Sequence, residues 1–187
     1  MGAPSSQITI QTSLLDRAKA SDPDAIATMF RQFLSEGEQV VEVEYLGVRG
    51  IWVFGEHCWA CLTDRRVACL RVGKASEVFY QDALIEGINS GAVYQPSLMP
   101  LYIGIGVLIL AALATFGVTL LLIPLAIFWF HKHTKCGVAF FVREGLTVFF
   151  FANRKRLTLA NRLYRRVILV REARVKVLSM QMQVASS

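Results

Sequence analysis

Acidic side chains are scarce near the end of this chain. Residues 131–187 hold two aspartates or glutamates against twelve lysines or arginines, whereas residues 1–97 hold twelve against eight. The formal charge of +6 over 187 residues is therefore carried by the last third of the sequence. Because cytoplasmic loops of membrane proteins have an excess of basic residues, this distribution predicts that the C-terminal part faces the cytoplasm.

Charged residues are missing from Leu98–Phe130, which excludes an ordinary solvated surface helix there. About 20 apolar residues cross a bilayer once, so the segment predicts insertion into a membrane. Two arrangements remain open. Gly117 permits a transmembrane or re-entrant helical hairpin with arms at residues 100–114 and 118–130, while Pro124 fits a kink in a single tilted helix.

The chain begins without a basic region followed by an apolar stretch, so we expect no signal peptide. Four cysteines, Cys58, Cys61, Cys69 and Cys136, fit a reducing compartment better than a disulfide framework. We expect an integral membrane protein of a bacterial inner or thylakoid membrane, with its folded domain on the cytoplasmic side.

Cys58 and Cys61 form a Cys-x-x-Cys motif, which fits a redox dithiol or half of a zinc site. On a β-strand, however, residues three apart face opposite sides, so the two thiols would diverge. We favour structural cysteines and keep a metal or redox role as the alternative.

Catalytic motifs are missing as well. The sequence has no Gly-x-Ser-x-Gly element and no phosphate-binding glycine loop. We therefore expect a protein that is not an enzyme and that uses no cofactor and no metal.

Two short helices are predicted before residue 37. Asp22 and Pro23 supply an N-cap and a first-turn proline for the second helix, which has an apolar face at helical spacing. The run AKASDPDAIATMFRQFL resembles the short helical N-terminal segments of many cyanobacterial proteins. These helices either dock on their own domain or bind a partner.

From Glu38 onward, apolar residues alternate with polar ones or glycine, which predicts antiparallel strands arranged as a meander. The Asp64–Arg65 and Glu144–Gly145 pairs mark hairpin turns. A closing helix is predicted from Leu157 to about Met180, since Leu159, Leu163 and Val167 recur on one face.

Several of these segments resemble the bacterial pleckstrin-homology-like (PH-like) domains. They are CLTDRRVACLRVG with its Thr63–Arg66 turn, FYQDALIEGINSG, VAFFVREGLTVFFFANR, and TLANRLYRRV with the pattern Ala160–Leu163. The resemblance implies an α+β fold in which a small antiparallel β-barrel is capped by a C-terminal helix. It divides the chain into an N-terminal helical appendage (1–37), a first part of the domain (38–97), an inserted membrane hairpin (98–130) and a second part with the capping helix (131–187).

The predicted binding surface is basic. It consists of six residues near the start of the closing helix: Arg154, Lys155, Arg156, Arg162, Arg165 and Arg166. Each basic residue near an anionic leaflet contributes roughly 1 kcal/mol, so this surface is predicted to bind anionic lipid or an acidic partner. A purely topological role or a solvated helix face is the alternative.

A second group of residues is predicted to lie at the membrane interface. It consists of Trp129, His131, Lys132 and His133. The two histidines, together with nearby Cys136, could also form a metal site, but we favour the interface interpretation. We expect membrane lipids and a protein partner or a homo-oligomer as partners, and no nucleic acid, because exposed aromatics are few among the arginines.

The PH-like resemblance implies a membrane-anchored binding or scaffolding module that recognises anionic lipid or a protein partner at the cytoplasmic membrane face. Two other functions stay open. One is an accessory or assembly subunit of a larger, photosynthetic membrane complex, and the other is a metal or thiol enzyme that uses Cys58 and Cys61.

Overall fold

The computed structural model describes residues 10–50, 55–73, 77–114, 136–143, 145 and 147–185. These residues form α1 (Thr12–Lys19), α2 (Pro23–Arg31), β1 (Val40–Arg49), β2 (Glu56–Thr63), β3 (Arg66–Gly73), β4 (Val78–Leu84), β5 (Ile88–Tyr94), α3 (Met99–Ala114), β6 (Cys136–Val142), β7 (Val148–Ala152) and α4 (Leu157–Ala185). Two 3₁₀ helices, Ile85–Gly87 and Arg154–Arg156, precede β5 and α4.

The strands form two antiparallel sheets. Sheet 1 has the order β1-β2-β3-β4 and sheet 2 the order β5-β6-β7. The prediction of a closed β-barrel is wrong. The 3₁₀ helix Ile85–Gly87 carries the chain from one sheet to the other, and no strand ladder joins the two sheets among the described strands. One backbone hydrogen bond of 2.7 Å, from Asn153 N to Leu46 O, links the β1 edge to the end of β7.

The inner core lies between the two sheets and α4. Alternate residues of each strand point into it, among them Leu46, Leu62, Phe140 and Phe150. From α4 the core receives Ala160, Leu163 and Val167. The predicted closing helix therefore covers the core, and it continues to Ala185, beyond the expected end near Met180.

A second apolar cluster covers the outer face of sheet 1. Ile26, Met29 and Phe30 of α2 pack on Trp59, Leu70 and other residues of β1–β3. The Asp22 side chain caps α2 by accepting from Asp24 N at 3.0 Å, and Trp59 Nε1 donates to Ala18 O at 3.1 Å. Of the two alternatives for the N-terminal helices, docking on their own domain is the one observed.

The turn between β2 and β3 is held by a buried polar group. The Glu38 side chain is fully enclosed and accepts from Arg66 Nε at 3.0 Å and from Thr63 Oγ1 at 2.5 Å. Arg66 also reaches Asp82 at 2.7 Å, and Thr63 Oγ1 accepts from Arg66 N at 2.9 Å. The Thr-Asp-Arg-Arg turn thus connects β2, β3, β4 and the segment before β1.

The apolar segment is described only in part. Helix α3 has 16 residues and a length of about 24 Å, against about 30 Å of bilayer hydrocarbon. Among the described residues, no helix combines the length and the apolar character needed to cross a bilayer. This finding contradicts the prediction of a transmembrane hairpin, and with it the prediction of an integral membrane protein. Its expected second arm, at residues 118–130, lies outside the described residues.

Removing the guanidinium that pairs with Glu38 is expected to destabilise the fold strongly. In Arg66→Met, the enclosed carboxylate loses its counter-charge, so the free energy of unfolding should fall by about 3 kcal/mol. Urea denaturation measures this. The matched control is Arg65→Met, because Arg65 is half exposed and pairs loosely with Asp64 at 3.9 Å. Its expected loss is below about 1 kcal/mol. Equal losses in the two variants would contradict the role given to Glu38.

Candidate functional site

The six predicted basic residues fall into two groups. Arg154, Lys155 and Arg156 form the 3₁₀ helix before α4, where Asn153 Oδ1 accepts from Lys155 N at 3.1 Å. Arg162, Arg165 and Arg166 lie within the first three turns of α4. The two groups differ in what their guanidinium groups contact.

Arg156 holds parts of the fold together. Its Nη1 donates to Ser21 Oγ at 2.9 Å and to Tyr45 O at 3.0 Å, and its guanidinium lies 4.7 Å from the centre of the Tyr45 ring. These contacts join the start of α4 to β1 and to the loop between α1 and α2. Burial raises the pKa of the Tyr45 hydroxyl, which lies 2.7 Å from His57 Nδ1. Because its guanidinium already bonds Ser21 and Tyr45, Arg156 is not free to bind a ligand.

The Arg154 side chain is also bonded within the fold, whereas the Lys155 side chain is exposed and has no such bond among the described residues. Arg154 Nη1 donates to the carbonyl oxygen of Pro96 at 3.1 Å, which fixes the segment between β5 and α3. The structure records no side-chain bond for Lys155 within its described residues. The first group thus offers one free charge.

Arg162 is paired across the gap between α4 and β1. Its guanidinium lies 3.4 Å from Glu42 Oε1 and also bonds Glu44. The hydrogen bond to Glu44 raises the pKa of Arg162. The two carboxylates come from alternate residues of β1, so the strand presents both of them to one side of the helix.

The side chains of Arg165 and Arg166 are exposed, and neither side chain makes a hydrogen bond or an ion pair in the part of the chain that the structure describes. They line a groove of about 480 Å³ between the start of β1 and the outer side of α4. Its other lining residues are Val41, Glu42, Arg162 and Leu169. We call this the β1–α4 groove.

Two apolar side chains in the β1–α4 groove were missed by sequence reasoning. Val41 is 43% exposed, and Leu169 is 57% exposed. A signal was present for Leu169, because residues 162, 165, 166 and 169 share one side of a helix. Nothing in the local sequence of β1 marks Val41 as exposed.

A larger groove, of about 710 Å³, lies between β4 and β6. Its acidic residues are already used, since Asp82 pairs with Arg66, and Glu86 pairs with Arg174 of α4. Arg174 Nη1 also donates to Asp64 O at 2.9 Å. Within the described residues the lining of this larger groove keeps the Tyr80 hydroxyl and the Arg143 side chain without a partner, but only one free cation, so we favour the smaller β1–α4 groove with two.

A further cationic cluster surrounds Glu56. Arg71 Nη1 lies 3.3 Å and Arg49 Nη1 3.6 Å from Glu56 Oε2. The Arg49 guanidinium stacks 3.7 Å from the centre of the Phe151 ring, and that of Arg71 lies 3.9 Å from the Phe79 ring. Sequence reasoning did not single out this cluster, whose members lie on β1, β2, β3, β4 and β7.

Cys58 and Cys61 face opposite sides of β2, as residues three apart on a strand must. Cys58 lies in the inner core and Cys61 in the cluster under the N-terminal helices. Burial raises the pKa of each thiol to about 12. Among the described residues, no group of three or more His, Cys, Asp or Glu side chains is arranged to hold a metal ion.

Trp129, His131, Lys132 and His133, which were predicted to lie at a membrane interface, fall outside the described residues.

Comparison of the chain with protein-family models, with curated proteins and with solved structures returns no match. Membership of the PH-like family therefore stays a prediction.

The native thiols are expected to be unreactive. With a pKa of about 12, Cys58 and Cys61 are thiolates in roughly one molecule in ten thousand at pH 8, and both are buried. We expect Ellman's reagent to modify none of the four cysteines in the native protein and all four in urea. Rapid modification of Cys58 or Cys61 in the native state would contradict this, and would revive the thiol hypothesis.

Proposed function

We infer that this chain is a non-catalytic binding module whose β1–α4 groove docks an acidic segment of a partner protein. The observation that carries the proposal is the pair of free guanidinium groups at Arg165 and Arg166 beside exposed Val41 and Leu169. The scaffolding role implied by the PH-like resemblance is compatible with it.

Charge supports an acidic ligand. The groove lining holds three arginines and one glutamate, and Glu42 is already paired with Arg162. A carboxylate that enters the groove meets the two unpaired guanidinium groups of Arg165 and Arg166, because the one acid in the described lining is held by Arg162. Arginine binds carboxylates through two parallel N–H···O bonds, which gives direction as well as attraction.

Apolar contacts support a peptide rather than a small anion. Val41 and Leu169 stand on two different elements, so a side chain placed between them would be covered from both β1 and α4. Charge contacts at an exposed site are weak when they act alone, and buried apolar anchors usually supply most of the affinity. The expected ligand therefore has an apolar residue next to one or two acidic ones.

The walls of the groove are fixed in place. The start of α4 is bound to β1 and to the α1–α2 loop through Arg156, and Arg174 bonds Glu86 and Asp64 further along the helix. A site on elements held in this way loses little freedom on binding, which favours affinity. With few contacts, we expect a dissociation constant on the order of micromolar.

The proposal predicts which peptides the protein selects. A random peptide library displayed on phage and selected on the full chain should yield sequences enriched in aspartate or glutamate beside a leucine, valine or aromatic residue. Selected peptides should bind Arg165→Glu/Arg166→Glu at least tenfold more weakly than the unchanged protein, because two attractions become repulsions. Fluorescence anisotropy with the labelled peptide measures this.

The matched control is Arg31→Glu/Lys155→Glu. Both residues are exposed, so this variant changes the net charge by the same amount outside the groove. Its affinity should stay within about twofold of the unchanged protein, since distant exposed charges are screened by salt. Selected peptides without acidic residues, or equal weakening in both variants, would contradict the proposal. If vesicles containing phosphatidylserine bound the protein and no peptide did, the ligand would be a lipid and the proposal would be wrong.

A further inference from the structure

Helix α4 is longer than the domain that it covers. It has 29 residues and a length of about 43 Å. Arg174 bonds the domain through Glu86 and Asp64, and in the part of the chain that the structure describes no later residue of the helix belongs to either apolar core. Residues 175–185 therefore form a helical extension, which we call the α4 extension.

The α4 extension exposes more apolar surface than a solvated helix needs. Val175, Val177, Leu178, Met180 and Met182 are all exposed, by 37% to 68%. Glu172, Lys176 and Ser179 form a polar stripe at i, i+4 and i+7, and Gln181 lies on another side of the helix. A helix with a polar stripe and a broad apolar remainder is typical of one that packs against another helix.

One apolar stripe has the spacing of a coiled coil. Val170, Ala173, Val177 and Met180 follow the three-four-three pattern, and the sequence has Val184 at the next place in the series. Valines thus occupy the a positions, with alanine and methionine at d. Val170 also packs partly on the inner core of its own domain, so the stripe is continuous with the covered face of α4.

β-Branched residues at a favour parallel two-stranded coiled coils. The stripe contains no charged residue that would specify an acidic or basic partner, and it is complementary to itself. In a parallel pair, Lys176 at a g position lies next to Gln181 at the e position of the second copy, so no like charges meet. A second stripe, made of Val175, Leu178 and Met182, meets charged Arg171 at its domain end and is less suitable.

We propose that this chain forms a parallel dimer through the stripe of Ala173, Val177 and Met180 on α4, with Val170, which packs on its own domain, at the end of that stripe. The extension continues a helix that is already anchored to its domain, so dimerisation does not have to nucleate it. The pairing covers apolar surface that no other described residue covers. The stripe shares no residue with the β1–α4 groove, but Leu169 of the groove adjoins it at the domain end.

Sedimentation equilibrium of the full chain tests the proposal with two variants that carry the same substitution two residues apart. Met180→Glu places a charge in the stripe and should weaken the dimer at least tenfold. Met182→Glu places the same charge on the opposite side of the helix and should leave the dimer within about twofold of the unchanged protein. Both side chains are exposed in the single chain, so at protein concentrations where the unchanged chain is monomeric neither change should lower the thermal unfolding midpoint.

Cysteine variants test the parallel register. Under mild oxidation Met180→Cys should form a disulfide between two chains, because identical d residues lie side by side in a parallel pair. Met182→Cys should form much less of it. A monomeric unchanged chain, a Met180→Glu variant that associates normally, or cross-linking through residue 182 instead of 180 would each overturn the proposal, the last in favour of the second stripe or of another partner.

Discussion

Strands β2 and β3 have apolar layers on both faces, and the rest of the structure depends on this double burial. Trp59 and Leu70 face α1 and α2, whereas Leu62 and Val67 face sheet 2 and α4. A sheet that is buried on both sides needs a covering layer on each, and here the two layers come from opposite ends of the chain. Polar contacts then fix both layers to the sheet: Trp59 Nε1 bonds α1, and Arg174 of α4 bonds the β2–β3 turn.

Arginine is used in two different ways in this molecule. Arg66, Arg156 and Arg174 bond carboxylates or backbone oxygens that lie on separate elements, and they hold the layers in register. Arg165 and Arg166 belong to the same helix and have no such partner among the described residues. A guanidinium that is already satisfied gains little from a ligand carboxylate, whereas a free one gains a charge-assisted hydrogen bond. Among the arginines of the predicted basic surface, this division selects Arg165 and Arg166, which lie on the outer side of α4.

Much of the secondary structure could be predicted from the sequence because its signals are local. The Asp64–Arg65 turn, the alternation in β6 and β7, the Asp22 cap of α2 and the start of α4 each depend on residues within about ten positions of one another. The separation of the strands into two sheets, instead of one barrel, occurs at the 3₁₀ helix Ile85–Gly87. The alternation of apolar and polar residues does not predict this turn. The length of apolar sequence predicted a membrane crossing, whereas the described part of that segment is a helix of 16 residues.

The candidate site could be predicted only in part, for a similar reason. Charge density located the six basic residues, but their availability is decided by distant groups. Arg156 bonds Ser21 across 135 positions, and Arg162 bonds Glu44 across 118. Val41 lies at a register shift in the pairing of β1 with β2, between Val40 and Glu42, and alternation in the sequence does not reveal such a shift. Composition therefore identified the basic surface without showing which of its charges are free.

The proposed binding site requires that the side chains of Arg165 and Arg166 are free, and the NMR signals of the arginine Nε–Hε groups report on this. On addition of a peptide selected by the β1–α4 groove, we expect the signals of Arg165 and Arg166 to shift and to exchange more slowly with water. The signals of Arg66 and Arg156, which are bonded within the fold, should stay unchanged. Shifts confined to Arg49 and Arg71 would place the ligand at the Glu56 cluster and contradict the account.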